Sequence, residues 1–137
     1  MAFVLDASVA LSWYFTDETS SLGELAFERI RGSEAVAPVL WWFEIRNALL
    51  ASERRGRIGA AQTTAILTSI SALPIRLDAT ERDEPILALA RIHRLTFYDA
   101  AYLELAHRLS APLATLDRAL ARAAHVAAVP LLGEGEA

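Results

Sequence analysis

Short apolar runs, each closed within a few residues by an acid or a turn, alternate along this chain with longer stretches of helical spacing. Phe3-Val4-Leu5, Ala35-Val36-Ala37, Pro74-Ile75-Arg76-Leu77, Pro112-Leu113-Ala114-Thr115 and the segment from Val126 to Leu132 read as strands. The intervening spacing predicts helices over 7–11, 18–31, 38–55, 60–73, 80–94, 99–109 and 117–124. Pro38 suits the first turn of a helix, where its missing N–H is an orphan donor in any case, and Gly56 suits that helix's end. Strands that alternate with helices pair in parallel through crossovers and are covered on both faces. The expected fold class is therefore α/β, a three-layer α/β/α sandwich with a central parallel sheet. In open sheets of this kind ligand sites form beyond the carboxyl ends of the strands. The residues that follow each apolar run are the ones to inspect.

Three aspartates sit just after a strand or loop. Asp6, Asp99 and Asp117 stand in the settings FVLDAS, TFYDAA and ATLDRA, each where a helix begins. A fourth acid, Glu44, lies inside the apolar helix WWFEIRNALL. Taken singly, an Asp in such a position reads as a helix N-cap worth about 1 kcal/mol. Taken together they are harder to assign to capping. Glu53, Asp78, Glu104 and Glu28 each have an arginine three or four positions on, at Arg57, Arg82, Arg108 and Arg31. The four singled-out acids have none, and a carboxylate on an apolar helical face is costly unless something pairs with it.

If the four converge, they repel. Two carboxylates ~5 Å apart at an effective dielectric of ~20 cost roughly 3 kcal/mol per pair. A divalent cation removes the conflict. All-oxygen ligands point to Mg²⁺, or Mn²⁺, rather than zinc. Such an ion binds phosphate oxygens, orients a water and offsets charge on a leaving oxygen, which is the chemistry of a phosphodiester-cutting nuclease. Ser8 and Thr115, each two residues from an acid, are candidates to fix a carboxylate or a metal-bound water. Asn47, one turn after Glu44, is a candidate to orient it.

Composition closes other routes. The chain has 137 residues, 54% apolar, which suits one core over 1–132 with a Gly/Glu tail at 133–137. It has no cysteine, which excludes disulfides, thiolate metal sites and cysteine nucleophiles. It has no lysine either, so all 13 basic residues are arginine and Schiff-base or P-loop lysine chemistry is excluded. No G-x-G-x-x-G or nucleophile elbow occurs. His93, His107 and His125 lack ligand spacing and read as surface or boundary residues. The net charge of −4 argues against gripping nucleic acid over the whole surface, though not against a local rim at Arg54, Arg55 and Arg57. The aromatic clusters Trp13-Tyr14-Phe15 and Trp41-Trp42-Phe43 read as core, with part left to cover a partner. No apolar run reaches the ~18–20 residues of a membrane span, and the start lacks a basic region followed by an apolar stretch. A cytoplasmic protein with no membrane partner is expected.

Four segments, FVLDASVALSWYF, FEIRNALLASERRGRI, LTFYDAAYLELA and PLATLDRALARAA, occur in an order that resembles the PIN-domain ribonucleases, specifically the VapC-type toxins of type II (VapBC) toxin–antitoxin systems. The resemblance covers nearly the whole chain. It implies an acidic pocket of Asp6, Glu44, Asp99 and Asp117 that holds Mg²⁺ or Mn²⁺, with Asp6 and Asp99 as direct ligands. Glu44 and Asp117 then complete the cluster or position the water. It further implies an endoribonuclease that blocks translation, a homodimer, and inhibition by a cognate VapB-type antitoxin through which alone the pair meets DNA. Two other readings stay open on the residues: a non-catalytic module whose acids only cap helices, and a metal-dependent nuclease for single-stranded DNA.

Overall fold

The computed structural model describes residues 1–80 and 82–134. In chain order the elements are β1 (Ala2–Leu5), α1 (Ala7–Ser12), a 3₁₀ turn (Thr16–Glu18), α2 (Ser21–Arg29), β2 (Glu34–Pro38), α3 (Leu40–Arg54), α4 (Ala60–Ser71), β3 (Ile75–Asp78), α5 (Asp83–His93), α6 (Phe97–Leu109), β4 (Leu113–Ala114) and α7 (Arg118–Val126). The four strands form one sheet in the order β3-β2-β1-β4, and every pairing is parallel. Seven helices cover this sheet among the described residues, as a three-layer α/β/α sandwich requires.

The apolar runs are strands because the sheet buries them. Phe3, Val4 and Leu5 of β1 and Ala35, Val36 and Ala37 of β2 are all inaccessible to solvent or nearly so. Each large side chain among them contributes about 1.5–3 kcal/mol on leaving water. Ile45 and Leu49 of α3 and Leu103 and Leu105 of α6 complete the same core. Where α1 meets α2 the contact is tight. A Cβ on Gly23 would stand 2.6 Å from Ser12 Oγ, and the Gly23 carbonyl accepts a 2.7 Å hydrogen bond from Trp13 Nε1.

Two expected elements differ. Pro38 does not open a helix but closes β2, in register with Asp78, and the ladder bond it cannot donate is made by Val39 N to the Asp78 carbonyl at 3.1 Å. The segment from Val126 to Leu132 is not a strand. Val126 ends α7, Ala128 takes a left-handed conformation (φ 60°), and only Leu131 bridges to Leu113. Beyond it, Glu134 accepts from Leu131 N at 3.0 Å and stands 3.3 Å from His125. The rest of the expected tail, 135–137, lies outside the described residues.

Candidate active site

Asp6 is the residue at which β1 stops, and it is buried at 6% exposure. It occupies the N-cap position of α1 yet makes no side-chain cap bond. Its Oδ2 instead accepts 2.7 Å hydrogen bonds from Ser8 Oγ and from Thr115 Oγ1, 109 residues away. The pairing of β1 with β4 is what delivers Thr115 there. Thr115 Oγ1 also accepts from Asp117 N, and Ser8 Oγ from Leu116 N, both at 3.0 Å. Two hydroxyls thus lock the carboxylate of β1 to the loop that carries Asp117.

Asp117 is exposed and does cap α7, with Oδ1 accepting from Leu120 N at 2.9 Å. Asp99 does not cap. α6 begins at Phe97, and Thr96 is the capping residue, accepting from Asp99 N at 3.1 Å. Capping therefore explains one of the three aspartates and not the other two.

The four acids feel one another. Burial raises the pKa of Asp6 above the carboxylate norm, and the charge of Asp117 adds to it against the Ser8, Thr115 and Ala7 hydrogen bonds. Burial raises Glu44, opposed by a hydrogen bond from Tyr102 and reinforced by Asp6 and Asp99. Burial raises Asp99, with Asp117 and Asp6 reinforcing it. The coupling links residues from β1, α3, α6 and the turn into α7, so the topology gathers all four at the carboxyl end of the sheet, where the open-sheet rule puts a site.

No arginine is among these influences. Their donor chemistry suits a hard divalent cation. Among the described residues no group of three or more acids or imidazoles is placed so as to hold a metal ion. Mg²⁺ does not require such a group, since it keeps several waters and takes one or two carboxylates directly.

Tyr102 was not foreseen as a site residue. Its hydroxyl donates a 2.6 Å hydrogen bond to Glu44 Oε1. The signal was its place one turn after Asp99 on the same helix. Asn47 is exposed, and among the described residues it makes no hydrogen bond to Glu44. Arg54 ends α3, ten residues from Glu44, which is about 15 Å along the helix axis. Arg57 is held by Asp17 at 2.8 Å and Glu18 at 3.1 Å, with its guanidinium 4.7 Å from the Phe15 ring centroid. All three histidines lie at the surface or its boundary.

A parallel sheet ending in four mutually coupled acids defines a class of protein, and the comparison with known families agrees: the PIN domain matches residues 3–126, and the chain belongs to that family. Among curated relatives, Ribonuclease VapC3 of Pyrobaculum aerophilum is 33% identical over 125 residues, which is 88% of this chain and 93% of that protein. The crystal structure of PAE2754 from Pyrobaculum aerophilum superposes with a TM-score of 0.68 at 27% identity, covering 90% of this chain and 87% of the other. That of Mycobacterium tuberculosis VapC20, described as a sarcin-ricin loop cleaving toxin, gives a TM-score of 0.60 at 13% identity, over 88% and 94% of the two chains, and speaks to the fold. The resemblance drawn from the four motifs holds. Among the described residues no helix is long and apolar enough to cross a membrane.

Proposed function

We propose that the protein is a VapC-type toxin, an endoribonuclease that uses Mg²⁺ or Mn²⁺ to cut RNA phosphodiesters in the cytoplasm and so blocks translation. The observation that carries this reading is the electrostatic coupling of Asp6, Glu44, Asp99 and Asp117 with no basic residue among them. The name and extent of the Ribonuclease VapC3 match support it.

Asp6 and Asp99 would hold the ion, with Glu44 and Asp117 completing its surroundings. When bound, the ion offsets the carboxylates' repulsion, takes phosphate oxygens and stabilises charge on the leaving oxygen. The protein's own groups do the positioning. Ser8 and Thr115 fix the Asp6 carboxylate through Oδ2. Tyr102 occupies Glu44 Oε1, which leaves Oε2 to orient the attacking water and take its proton. The raised pKa of Glu44 suits it to that proton.

Two surfaces fit the partners such a toxin needs. A groove of about 580 Å³ runs between α1, α2 and α4, with Trp13, Tyr14 and Phe27 in its walls. It is the surface for a VapB-type antitoxin, through which the pair would reach DNA. The outer face of α3 exposes Trp42, Phe43 and Leu50, with the Arg46 guanidinium 3.6 Å from the Trp42 ring centroid, and suits a second copy in a homodimer.

The test is cleavage of RNA and of single-stranded DNA by purified protein with Mn²⁺ or Mg²⁺, against EDTA and against Asp6→Asn. RNA cleavage lost in both controls is expected. Equal cleavage in all three, or a preference for DNA, would overturn the assignment.

A further inference from the structure

A second cleft opens beside the four acids. It lies between the first turns of α5 and α6 and the carboxyl ends of β2 and β3, with a volume of about 290 Å³. Helix α6 serves both places from adjoining faces. Asp99 and Tyr102 belong to the acids, whereas Tyr98, Ala101, Leu105 and Arg108 line the cleft. Helix α3 does the same, with Leu40 in the cleft and Glu44, one turn on, among the acids.

The chemistry of the cleft is not that of a phosphate site. Its charged lining is Asp78, Asp83 and Glu104 against Arg82 and Arg108, so acids outnumber bases. The Arg108 guanidinium is spent on Glu104 at 2.9 Å and Asp78 at 3.3 Å. The walls are apolar, from Leu40, Ile86 and Leu105. At the mouth stand two exposed rings, Phe97 at 42% and Tyr98 at 62%, and among the described residues the Tyr98 hydroxyl has no partner. Exposed aromatics over a slot with apolar walls, whose charged lining is acidic on balance and whose Arg108 is already paired, fit a flat, neutral group with polar edges. An unstacked base of single-stranded RNA is such a group, and single-stranded RNA is recognised by splaying bases onto aromatic side chains. Tyr98 precedes Asp99 directly in α6, so ring and carboxylate leave adjoining faces of one helical turn.

We propose that this cleft is a subsite for one unpaired nucleobase of the RNA, stacked against Tyr98 and Phe97 while the adjoining phosphodiester lies at the four acids. The inference rests on the ribonuclease reading and names the feature of the substrate that reading leaves open: the cut lies next to a base that can leave its stack.

The test starts from a single-stranded RNA that the wild-type protein cuts at one site. Copies carrying one abasic position each, moved stepwise past the cut, are bound with Mn²⁺ to full-length Asp6→Asn protein and followed by fluorescence anisotropy. One position adjoining the cut should lose affinity by about five- to a hundredfold. Tyr98→Ala in the same background should lose a similar factor on the complete strand and nothing further on that abasic strand, while Tyr98→Phe keeps its affinity. Abasic strands that all bind alike, or a Tyr98→Ala loss shared equally by every strand, would sink the subsite and leave the cleft to a protein partner. Should wild-type protein cut no RNA at all, the ribonuclease reading fails and the subsite fails with it. Tyr98 is exposed, so circular dichroism melting of both Tyr98 variants should match the parent.

Discussion

The Tyr102 hydroxyl on α6 donates to Glu44 Oε1 on α3 at 2.6 Å. Tyr102 is fully buried, and burial together with Asp6 and Glu44 holds its own pKa far above the usual phenol range. It is therefore a donor at every working pH, and its bond draws the Glu44 pKa down against burial. Tyr102→Phe keeps the ring and removes that restraint. Nuclease activity should fall about 10–100-fold, and the acid limb of the kcat/KM profile should move to higher pH as Glu44 titrates later. Urea melts should show a loss of only about 1 kcal/mol.

Stability in the absence of metal should depend on pH in a direction opposite to that of most proteins. Asp6, Glu44 and Asp99 all have raised pKa values in the folded state. Their contribution is fully present below the ordinary values of 3.8 and 4.5 and is lost as pH rises through the raised ones. Asp78 works the other way. Burial pushes it up, but Arg108 and the Thr80 amide outweigh this and lower it, so its contribution is present above 3.8 and lost as pH falls. Urea midpoints in EDTA from about pH 4 to about pH 8 should decline, and Asp6→Asn should flatten the decline.

Divalent ions should reverse that loss. At a hundred times Kd a ligand specific to the folded state adds about 2.7 kcal/mol, on the order of 10 °C in Tm for a chain of this size. Differential scanning fluorimetry with Mn²⁺ should show it for the wild type. Asp99→Asn should melt no lower than the parent in EDTA and gain much less from Mn²⁺. A variant markedly less stable without metal would mean that Asp99 is structural.

Arg108 holds α6 to the end of β3 through Glu104 and Asp78. Glu104 is 5% exposed, so Arg108→Leu strands a buried carboxylate. Thermal or urea unfolding should register a loss of about 3 kcal/mol, much of it recovered when Glu104→Gln is added.

The acids were legible in the sequence because each sits where an apolar run or a helical pairing pattern breaks. Asp6, Asp99 and Asp117 end apolar segments, and Glu44 lacks the arginine that Glu104 has at Arg108. What was not legible depends on contacts between distant segments. Nothing local in LTFYDAAYLELA assigns the Tyr102 hydroxyl to Glu44, 58 positions away. Arg57 has i, i+4 spacing to Glu53, but Gly56 (φ 74°) turns the chain out of α3, so Arg57 reaches Asp17 and Thr63 takes Glu53.

The two departures of the fold from its sequence pattern have similar causes. Periodicity cannot separate a short apolar run in a strand from one in a helix. Val126 was such a residue, and the alanine-rich tract before it carried α7 through it. Pro38 suits a helix start for its missing N–H, yet the end of a strand tolerates that deficit equally well, since Val39 donates in its place.

The bond from Thr115 to Asp6 also sets a timetable. The first strand leaves the ribosome early, but the hydroxyl that steadies its carboxylate, and Asp117 just after it, are made more than a hundred residues later. A partly synthesised chain therefore carries Asp6 without its hydrogen-bonding and acidic neighbours, and the cluster closes only when nearly the whole chain has been made.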